Sequence, residues 1–190
     1  AHSISPLMHN ESFRLLGLDY VYLCFDVNEE TLPAAVAGLK TCGIRGFNLT
    51  MPNKNKIVEL LDELSPEAQL IGAVNTVLND NGKLIGYNTD GYGFMQSVRD
   101  AGHDITGKNI TVMGVGGASM AICAQSALDG AASVHIFARR TSRYWNRTQK
   151  FAENLSAKTG CQVCLFDNDD HTALRDSIAQ SYLLINATSV

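Results

Sequence analysis

Lys54 is the first residue whose position points to chemistry. It ends the stretch NLTMPNK, residues 48 to 54, behind an apolar run and a proline, where a strand pattern gives way to a helical one. A cation near a helix N-terminus opposes the helix dipole, so a purely structural choice there would more often be Asp or Glu. Ligands bind at the carboxyl ends of strands in open α/β sheets. Lys54 is therefore a candidate site residue, and the alternative is an ordinary solvated lysine in a first helical turn.

A glycine-rich stretch, GVGGAS at residues 114 to 119, is the second candidate. It follows the apolar strand pattern ITVM and opens a helical pattern. Its glycines let the backbone approach a pyrophosphate, and the helix N-terminus offers free N–H groups and the positive end of the helix dipole. Ser119 occupies the third glycine position of the dinucleotide fingerprint, so the match is incomplete. The alternative is a tight strand-to-helix turn without a ligand.

The first half of the chain is predicted to mix strands and helices. Strand-like alternation covers YVYLCFDV at residues 20–27, and helical spacing covers residues 29–43. A second strand-like run, IRGFNLT, leads into a longer helix that opens at Pro52, where the missing N–H costs nothing. Asn81-Gly82 between two alternating runs is a strong hairpin signal.

The second half changes pattern from Gly107 onward. Strand-like runs alternate with helical runs, which predicts a parallel, doubly wound sheet. We expect an α/β fold in which an N-terminal α/β substrate domain, residues 1–104, precedes a Rossmann-like parallel-sheet cofactor domain, residues 105–190. The chain begins AHSISP and stops at NATSV after a strand pattern, so it is expected to be truncated at both ends, with the cofactor domain incomplete at its C-terminus.

Composition narrows the classes of partner. The chain has 190 residues, of which 45% are hydrophobic, as expected for a globular protein with a real core. Fifteen Lys plus Arg against 19 Asp plus Glu give a net charge of −4 without a long basic block. Nucleic acid and membranes are therefore not expected as partners. No apolar run approaches the roughly 20 residues of a membrane helix, and a cytoplasmic location is expected.

Cysteines and histidines give no metal signal. The five cysteines are an odd number scattered through apolar segments, which argues against a disulfide framework. CQVC at residues 161–164 is interpreted as part of a strand rather than as a redox or zinc motif. The five histidines lack ligand spacing, so no metal is expected.

Six short motifs occur along the chain in a fixed order. They are HSISP (2–6), NLTMPNK (48–54), AVNT (73–76), YNTDG (87–91), GVGGAS (114–119) and NATS (186–189). Their order and spacing resemble the shikimate dehydrogenase family over essentially the whole chain. The resemblance implies an oxidoreductase that reversibly reduces 3-dehydroshikimate to shikimate with a nicotinamide cofactor, a step towards chorismate and the aromatic amino acids. It also implies a cleft between a substrate domain and a cofactor domain.

The resemblance further implies roles for single residues. Ser3 and Ser5 would donate hydrogen bonds to the substrate carboxylate. Lys54 and Asp90 would be the catalytic pair, in which the ammonium stabilises charge on the ketone oxygen during hydride delivery and supplies the proton. For Asp90 the alternative is a helix N-cap. The ring hydroxyls of the substrate would be held by Thr50, Asn75 and Asp90.

The end of the second strand of the cofactor sheet predicts cofactor choice. In NAD-binding sheets an acid about 20 residues past the glycines binds the ribose 2′-OH, whereas an arginine accommodates the 2′-phosphate of NADP. Here no acid follows Phe137, and Arg139 and Arg140 could form bidentate bonds to a phosphate. NADP is therefore the expected cofactor, with NAD as the alternative; the arginines could instead simply begin a solvent-facing helix. The residues assigned to the cofactor are Gly114, Gly116, Gly117, Ala118, Arg139, Arg140, Thr141 and Thr188.

Other functions stay open at this level. The sequence MPNK resembles the quinate/shikimate dehydrogenase branch, which accepts either substrate, so quinate is a second candidate substrate. A catalytically silent dinucleotide-binding sensor is the alternative of another class, although a sensor would need neither Lys54 nor Asp90. Another Rossmann reductase with a lysine, such as a methylene-tetrahydrofolate dehydrogenase, fits the serines of HSISP less well. The oligomeric state is expected to be a monomer or a homodimer.

Overall fold

The computed structural model describes residues 3–188. His2 of the HSISP motif and Ser189 of the NATS motif lie outside the described residues, as do the outermost residues of the two predicted domains. Within residues 3–188, no helix is long and apolar enough to span a membrane.

Residues 3–104, the described part of the first half, contain five helices, a 3₁₀ turn and four short strands. In chain order they are α1 (Ser5–Leu15), α2 (Leu32–Thr41), β1 (Gly46–Asn48), α3 (Asn53–Lys56), the 3₁₀ turn (Ile57–Leu60), β2 (Glu63–Leu64), α4 (Pro66–Ile71), β3 (Thr76–Asp80), β4 (Lys83–Tyr87) and α5 (Asp90–Asp100). The strands form one sheet in the order β1-β3-β4-β2. β3 is antiparallel to both β1 and β4, and β2 is parallel to β4.

The predicted hairpin is confirmed. Asp80 pairs with Lys83, and the two residues between them both adopt positive φ, 52° at Asn81 and 91° at Gly82. Two consecutive left-handed residues are what a two-residue turn between twisted strands requires. The Asn79 side chain accepts a bond from the Gly82 N–H at 2.8 Å and so stabilises the turn.

Two predicted elements of this half differ from the structure. Residues 20–27 form no strand, because no strand among the described residues pairs with them; Val21 and Phe25 are 73% and 63% exposed. An unpaired segment cannot satisfy its backbone groups as a strand does. The helix predicted from Pro52 onward is only one turn long before it becomes the 3₁₀ turn, since the chain must then pair Glu63 and Leu64 with β4.

The second half builds a wholly parallel sheet. Its elements are β5 (Asn109–Met113), α6 (Gly117–Leu128), β6 (Ser133–Ala138), α7 (Trp145–Thr159), β7 (Gln162–Asp167), α8 (His171–Gln180) and β8 (Leu183–Asn186). The strand order is β7-β6-β5-β8, with every pair parallel. This confirms the doubly wound, Rossmann-like sheet. The order reverses between β5 and β8, and ligands bind in the crevice beyond such a reversal.

Two apolar cores support the two sheets. The larger lies around β5, β6 and α6, where Ile110, Val112 and Ile136 are fully buried. The smaller lies between α2 and the first sheet, where Ile57 and Val74 are fully buried. Burial of aliphatic side chains at about 25 cal/mol per Å² makes these cores the main stabilising term for both halves.

Candidate active site

Lys54 and Asp90 form an ion pair although 36 residues separate them. The Lys54 Nζ donates to Asp90 Oδ2 at 2.7 Å. Lys54 lies in α3 and Asp90 is the first residue of α5, so two helix N-termini bring the charges together. The side chains are 22% and 38% exposed, which leaves the pair reachable from solvent.

Asn75 orients the second oxygen of Asp90. The Asn75 Nδ2 donates to Asp90 Oδ1 at 2.7 Å and to Thr89 Oγ1 at 3.1 Å. The Asn75 Oδ1 accepts the backbone N–H of Thr89 at 3.0 Å. Both carboxylate oxygens of Asp90 are therefore held by a donor, and the residue at the N-cap of α5 is Thr89 rather than Asp90. The alternative of Asp90 as an N-cap does not describe the structure.

The AVNT segment also fixes the backbone beside Lys54. The Val74 N–H donates to the Lys54 carbonyl at 2.8 Å, and the Leu49 N–H donates to the Asn75 carbonyl at 2.8 Å. Thr50, which follows β1, is exposed, and its carbonyl accepts the Asn53 N–H at 3.0 Å. These bonds bring the two motifs NLTMPNK and AVNT together at one end of the strands of the first sheet, where β1 ends and β3 begins.

The two serines of HSISP lie at the start of α1. The Ser5 backbone N–H donates to Ser3 Oγ at 3.2 Å; Ser3 is exposed and Ser5 half-buried. Tyr22, which the motifs did not single out, donates its hydroxyl to Asn48 Oδ1 at 3.4 Å. Burial raises the pKa of Tyr22, and the Cys24 thiol adds to this, while a hydrogen bond with the Ser5 hydroxyl opposes it.

Sequence reasoning gave neither Tyr22 nor Asn48 a role in the site, because both stand inside runs that are interpreted as strands. Asn48 donates its Nδ2 to Thr76 Oγ1 at 3.0 Å, so it links β1 to β3. The one sequence signal for these two residues is a polar group, a hydroxyl or an amide, inside an otherwise apolar run. That signal is weak, since Tyr and Asn also occur at ordinary strand ends.

The glycine-rich turn leaves open space at the N-terminus of α6. Gly116 is the N-cap of α6, and a Cβ at Gly116 or Gly117 would meet no atom within 4 Å, so the space before the turn is open. Gly114 has φ 109°, and a Cβ there would lie 2.8 Å from the Ala187 carbonyl oxygen, which only glycine permits. Ala118 is an exposed residue of the first turn of α6.

Ser119 has a structural role in this turn. Its side chain is fully buried and its Oγ donates to the Gly114 carbonyl at 2.6 Å. The hydroxyl thereby satisfies a carbonyl at the end of β5. This explains why a serine is accommodated where the fingerprint has a third glycine.

The two arginines after β6 that were predicted to bind the cofactor lie in different surroundings. A cavity of about 440 Å³ is lined by Arg139, Thr141, Ser142, Arg143 and Tyr144. Arg140 does not line it; its guanidinium lies 5.6 Å from the centre of the Trp145 ring. Arg143, which sequence reasoning did not assign to the cofactor, lines the cavity together with Arg139, and its Nη2 donates to the Tyr144 hydroxyl at 2.6 Å.

Thr188 follows β8 on the other side of β5. Its Oγ1 donates to Asn186 Oδ1 at 2.6 Å, and its N–H donates to the same oxygen at 3.1 Å. A Cβ at Gly114 would lie 3.2 Å from the Thr188 nitrogen, so the two loops are in close contact at the strand-order reversal. Among residues 3–188 no group of three or more His, Cys, Asp or Glu side chains could hold a metal ion.

Several known proteins have sequences similar to this chain. Residues 1–77 match the model of the shikimate dehydrogenase substrate binding domain. The NADP(+) shikimate dehydrogenase of Listeria innocua is 51% identical over 189 residues, and that of Streptococcus pyogenes is 49% identical over 191 residues. The chain belongs to the shikimate dehydrogenase family. Both alignments cover 100% of this chain, which spans 65% of the length of these curated relatives.

Solved structures of similar sequence have the same fold. The shikimate 5-dehydrogenase of Listeria monocytogenes, solved in complex with shikimate and NAD, matches with a TM-score of 0.97 at 50% identity, covering 100% of this chain and 65% of that one. The 5-ketofructose reductase of a Gluconobacter strain matches with a TM-score of 0.87 at 33% identity, covering 100% and 66%.

Proposed function

We propose that this protein is an NADP-dependent shikimate dehydrogenase, an oxidoreductase that reversibly reduces 3-dehydroshikimate to shikimate. The observation that carries the proposal is the Lys54–Asp90 ion pair at 2.7 Å. The buried Asn75, directly before β3, holds Asp90 in this pair. A solvent-reachable ammonium beside an oriented carboxylate suits a ketone or alcohol whose proton must move as hydride is exchanged.

The chain's own residues supply the acid and the substrate contacts. In the reduction, negative charge grows on the ketone oxygen, and the Lys54 ammonium stabilises that charge and donates the proton. Asp90 keeps the ammonium in place and accepts a hydrogen bond from a substrate hydroxyl. Ser3, Ser5 and Tyr22 offer hydroxyls to the substrate carboxylate. Thr50 and Asn75 complete the set that faces the ring hydroxyls.

The cofactor supplies the hydride when it is bound, and the chain fits it. The open turn at Gly116 and Gly117, at the N-terminus of α6, suits a pyrophosphate. The cavity with Arg139 and Arg143 suits a 2′-phosphate, which two guanidiniums can bind by charge-assisted bonds. We therefore expect NADP to be preferred. NAD stays the alternative, because the Listeria monocytogenes relative was solved with NAD, whereas another shikimate dehydrogenase was solved with NADP+.

The catalytic pair also bears on the remaining alternatives. A silent dinucleotide-binding sensor would have no need for the Lys54–Asp90 pair, which favours an enzyme. Quinate differs from shikimate only in its ring, so quinate stays a second candidate substrate. We propose the division into a substrate domain at residues 1–104 and a cofactor domain at residues 105–190, in agreement with the two separate sheets. A monomer or homodimer in the cytoplasm remains the prediction from the sequence.

Initial rates of the full-length protein test the proposal. Shikimate, quinate and reduced 5-ketofructose are each supplied with NADP and with NAD, and formation of the reduced cofactor is followed by absorbance. We expect shikimate with NADP to have the highest kcat/KM. A protein that binds NADP but oxidises none of the three substrates would support the sensor instead, and a maximum with another substrate would reassign the reaction.

A further inference from the structure

The helices α5 and α6 lie side by side and run in the same direction. Three contacts show this: Gly91 against Ala121 near their N-termini, Met95 against Ser126 in the middle, and Arg99 against Asp129 near their C-termini. Both N-termini therefore point to the same side of the molecule. One of them begins with Asp90, and the other is the Gly116–Gly117 turn of the cofactor site.

Gly91 is a point at which the two helix backbones lie in close contact. A Cβ at Gly91 would lie 2.2 Å from the Ala121 carbonyl oxygen, 2.8 Å from its carbon and 2.9 Å from the Gln125 Cβ. Gly91 does not have a left-handed φ, so the backbone conformation itself would allow an alanine. The requirement is for space, and the neighbour is helix backbone, which cannot rotate away as a side chain can.

The far ends of the same helices are held together by charge. The Arg99 Nη1 donates to Asp129 Oδ2 at 2.8 Å, and Gln125 Nε2 donates to Asp129 Oδ1 at 2.8 Å. A side chain at Gly91 would therefore not move the two helices apart evenly. It would open the pair at its N-terminal end, where Asp90 and the phosphate turn lie.

We propose that Gly91 is a positioning residue for hydride transfer: its missing side chain sets the spacing between the helix that carries Asp90 and the helix that binds the cofactor. This inference rests on the proposed function. An alanine would force the backbones apart by roughly 1 Å, and a misplacement of that size can cost about 10²-fold in rate. Gly91 touches neither substrate nor cofactor in this role and acts only through the helices.

Gly93 provides a matched control on the same helix. It is exposed, and a Cβ there would meet no atom within 4 Å, so Gly93→Ala changes helix propensity in the same way without a clash. The measurements on the full-length protein are kcat, the KM for shikimate, the Kd for NADPH from fluorescence titration, and the isotope effect with shikimate deuterated at the carbon that gives the hydride.

We expect Gly91→Ala to lower kcat by about 10²-fold. The NADPH Kd and shikimate KM should change little, and the isotope effect should rise towards its full value because hydride transfer becomes rate-limiting. Gly93→Ala should match the wild type in kcat, shikimate KM, NADPH Kd and isotope effect. An unchanged kcat in Gly91→Ala, an equal loss in Gly93→Ala, or a loss seen only in NADPH affinity would overturn the inference.

Arg99→Ala decides the matter if Gly91→Ala does not fold. The Arg99 and Asp129 side chains are 39% and 20% exposed, so truncating Arg99 breaks their ion pair without introducing a clash and leaves the core intact. It releases the far ends of α5 and α6, and we expect a smaller fall in kcat with the isotope effect again raised. An unchanged isotope effect in Arg99→Ala would then refute the spacing role. A wild type inactive on every substrate and cofactor pair would refute the proposed function and this role with it.

Discussion

Replacing Lys54 by alanine separates a catalytic role from a structural one. The substitution removes the ammonium that lies 2.7 Å from Asp90 Oδ2. Asp90 keeps its bond from Asn75 at 2.7 Å, so the carboxylate is not left without a donor. The Lys54 backbone, whose carbonyl accepts the Val74 N–H, is unaffected by the loss of the side chain.

The expected loss of stability is small. The two side chains are 22% and 38% exposed, and ion pairs that solvent can reach contribute about 0–1 kcal/mol. For a chain of this size, 1 kcal/mol shifts the Tm by roughly 2–4 °C. The expected loss of rate is much larger, because general acid catalysis contributes about 10²–10⁴-fold. Each factor of ten corresponds to about 1.4 kcal/mol, so the barrier should rise by several times the loss in folding free energy.

The assay compares kcat and KM for shikimate oxidation with the Tm of the same samples. Lys56→Ala is the control, since Lys56 lies in the same short helix and pairs with Glu59 at 3.3 Å, away from Asp90. We expect Lys54→Ala to lose at least about 10²-fold in kcat with a modest change in KM, and Lys56→Ala to keep its activity. A Lys54→Ala variant that retains most of its kcat would show that Lys54 is not the acid.

Two further predictions concern the cavity beside Arg139 and the side chain of His135, whose Nδ1 lies 2.9 Å from the Ser177 hydroxyl of α8. Arg139→Ala should lower kcat/KM for NADP far more than for NAD, because only NADP carries the 2′-phosphate. Arg140→Ala is the control: it removes a guanidinium that lies over the Trp145 ring and should change the NADP-to-NAD ratio of kcat/KM little. An unaltered NADP preference in Arg139→Ala would show that Arg139 does not bind the cofactor. Burial lowers the pKa of His135, so the folded protein favours the neutral imidazole and its stability should fall as pH drops below the ordinary value of about 6.5. His135→Gln should therefore lose less Tm than the wild type between about pH 7.5 and 5.5, and equal losses in thermal melts would contradict this.

The fold was predictable where short-range chemistry decides it. The Asn81-Gly82 turn needs two left-handed residues, and the dipeptide itself shows this requirement in the sequence. The glycine-rich turn after β5 was also visible in the sequence, whereas the contact of Gly114 with the Ala187 carbonyl, 73 residues away, was not. The strand predicted at residues 20–27 does not form, and its absence could not be predicted in this way. Alternation shows that a segment could pair, but pairing depends on a partner strand elsewhere in the chain. The same limit applies to Arg140, whose contact with Trp145 depends on how the loop turns.

The hydrogen bonds of Asn75 show what motif-level reasoning leaves out of the site. An amide has two N–H donors and one oxygen with two lone pairs. In the structure both N–H groups are used, on Thr89 and Asp90, and the oxygen accepts from the Thr89 N–H and, at 2.9 Å, from the Thr76 hydroxyl. Asn75 can therefore bind a substrate hydroxyl only by exchanging one of these bonds. Its contribution while the substrate is absent is to hold Asp90 in position for Lys54, so a residue assigned to the substrate also orients the catalytic pair.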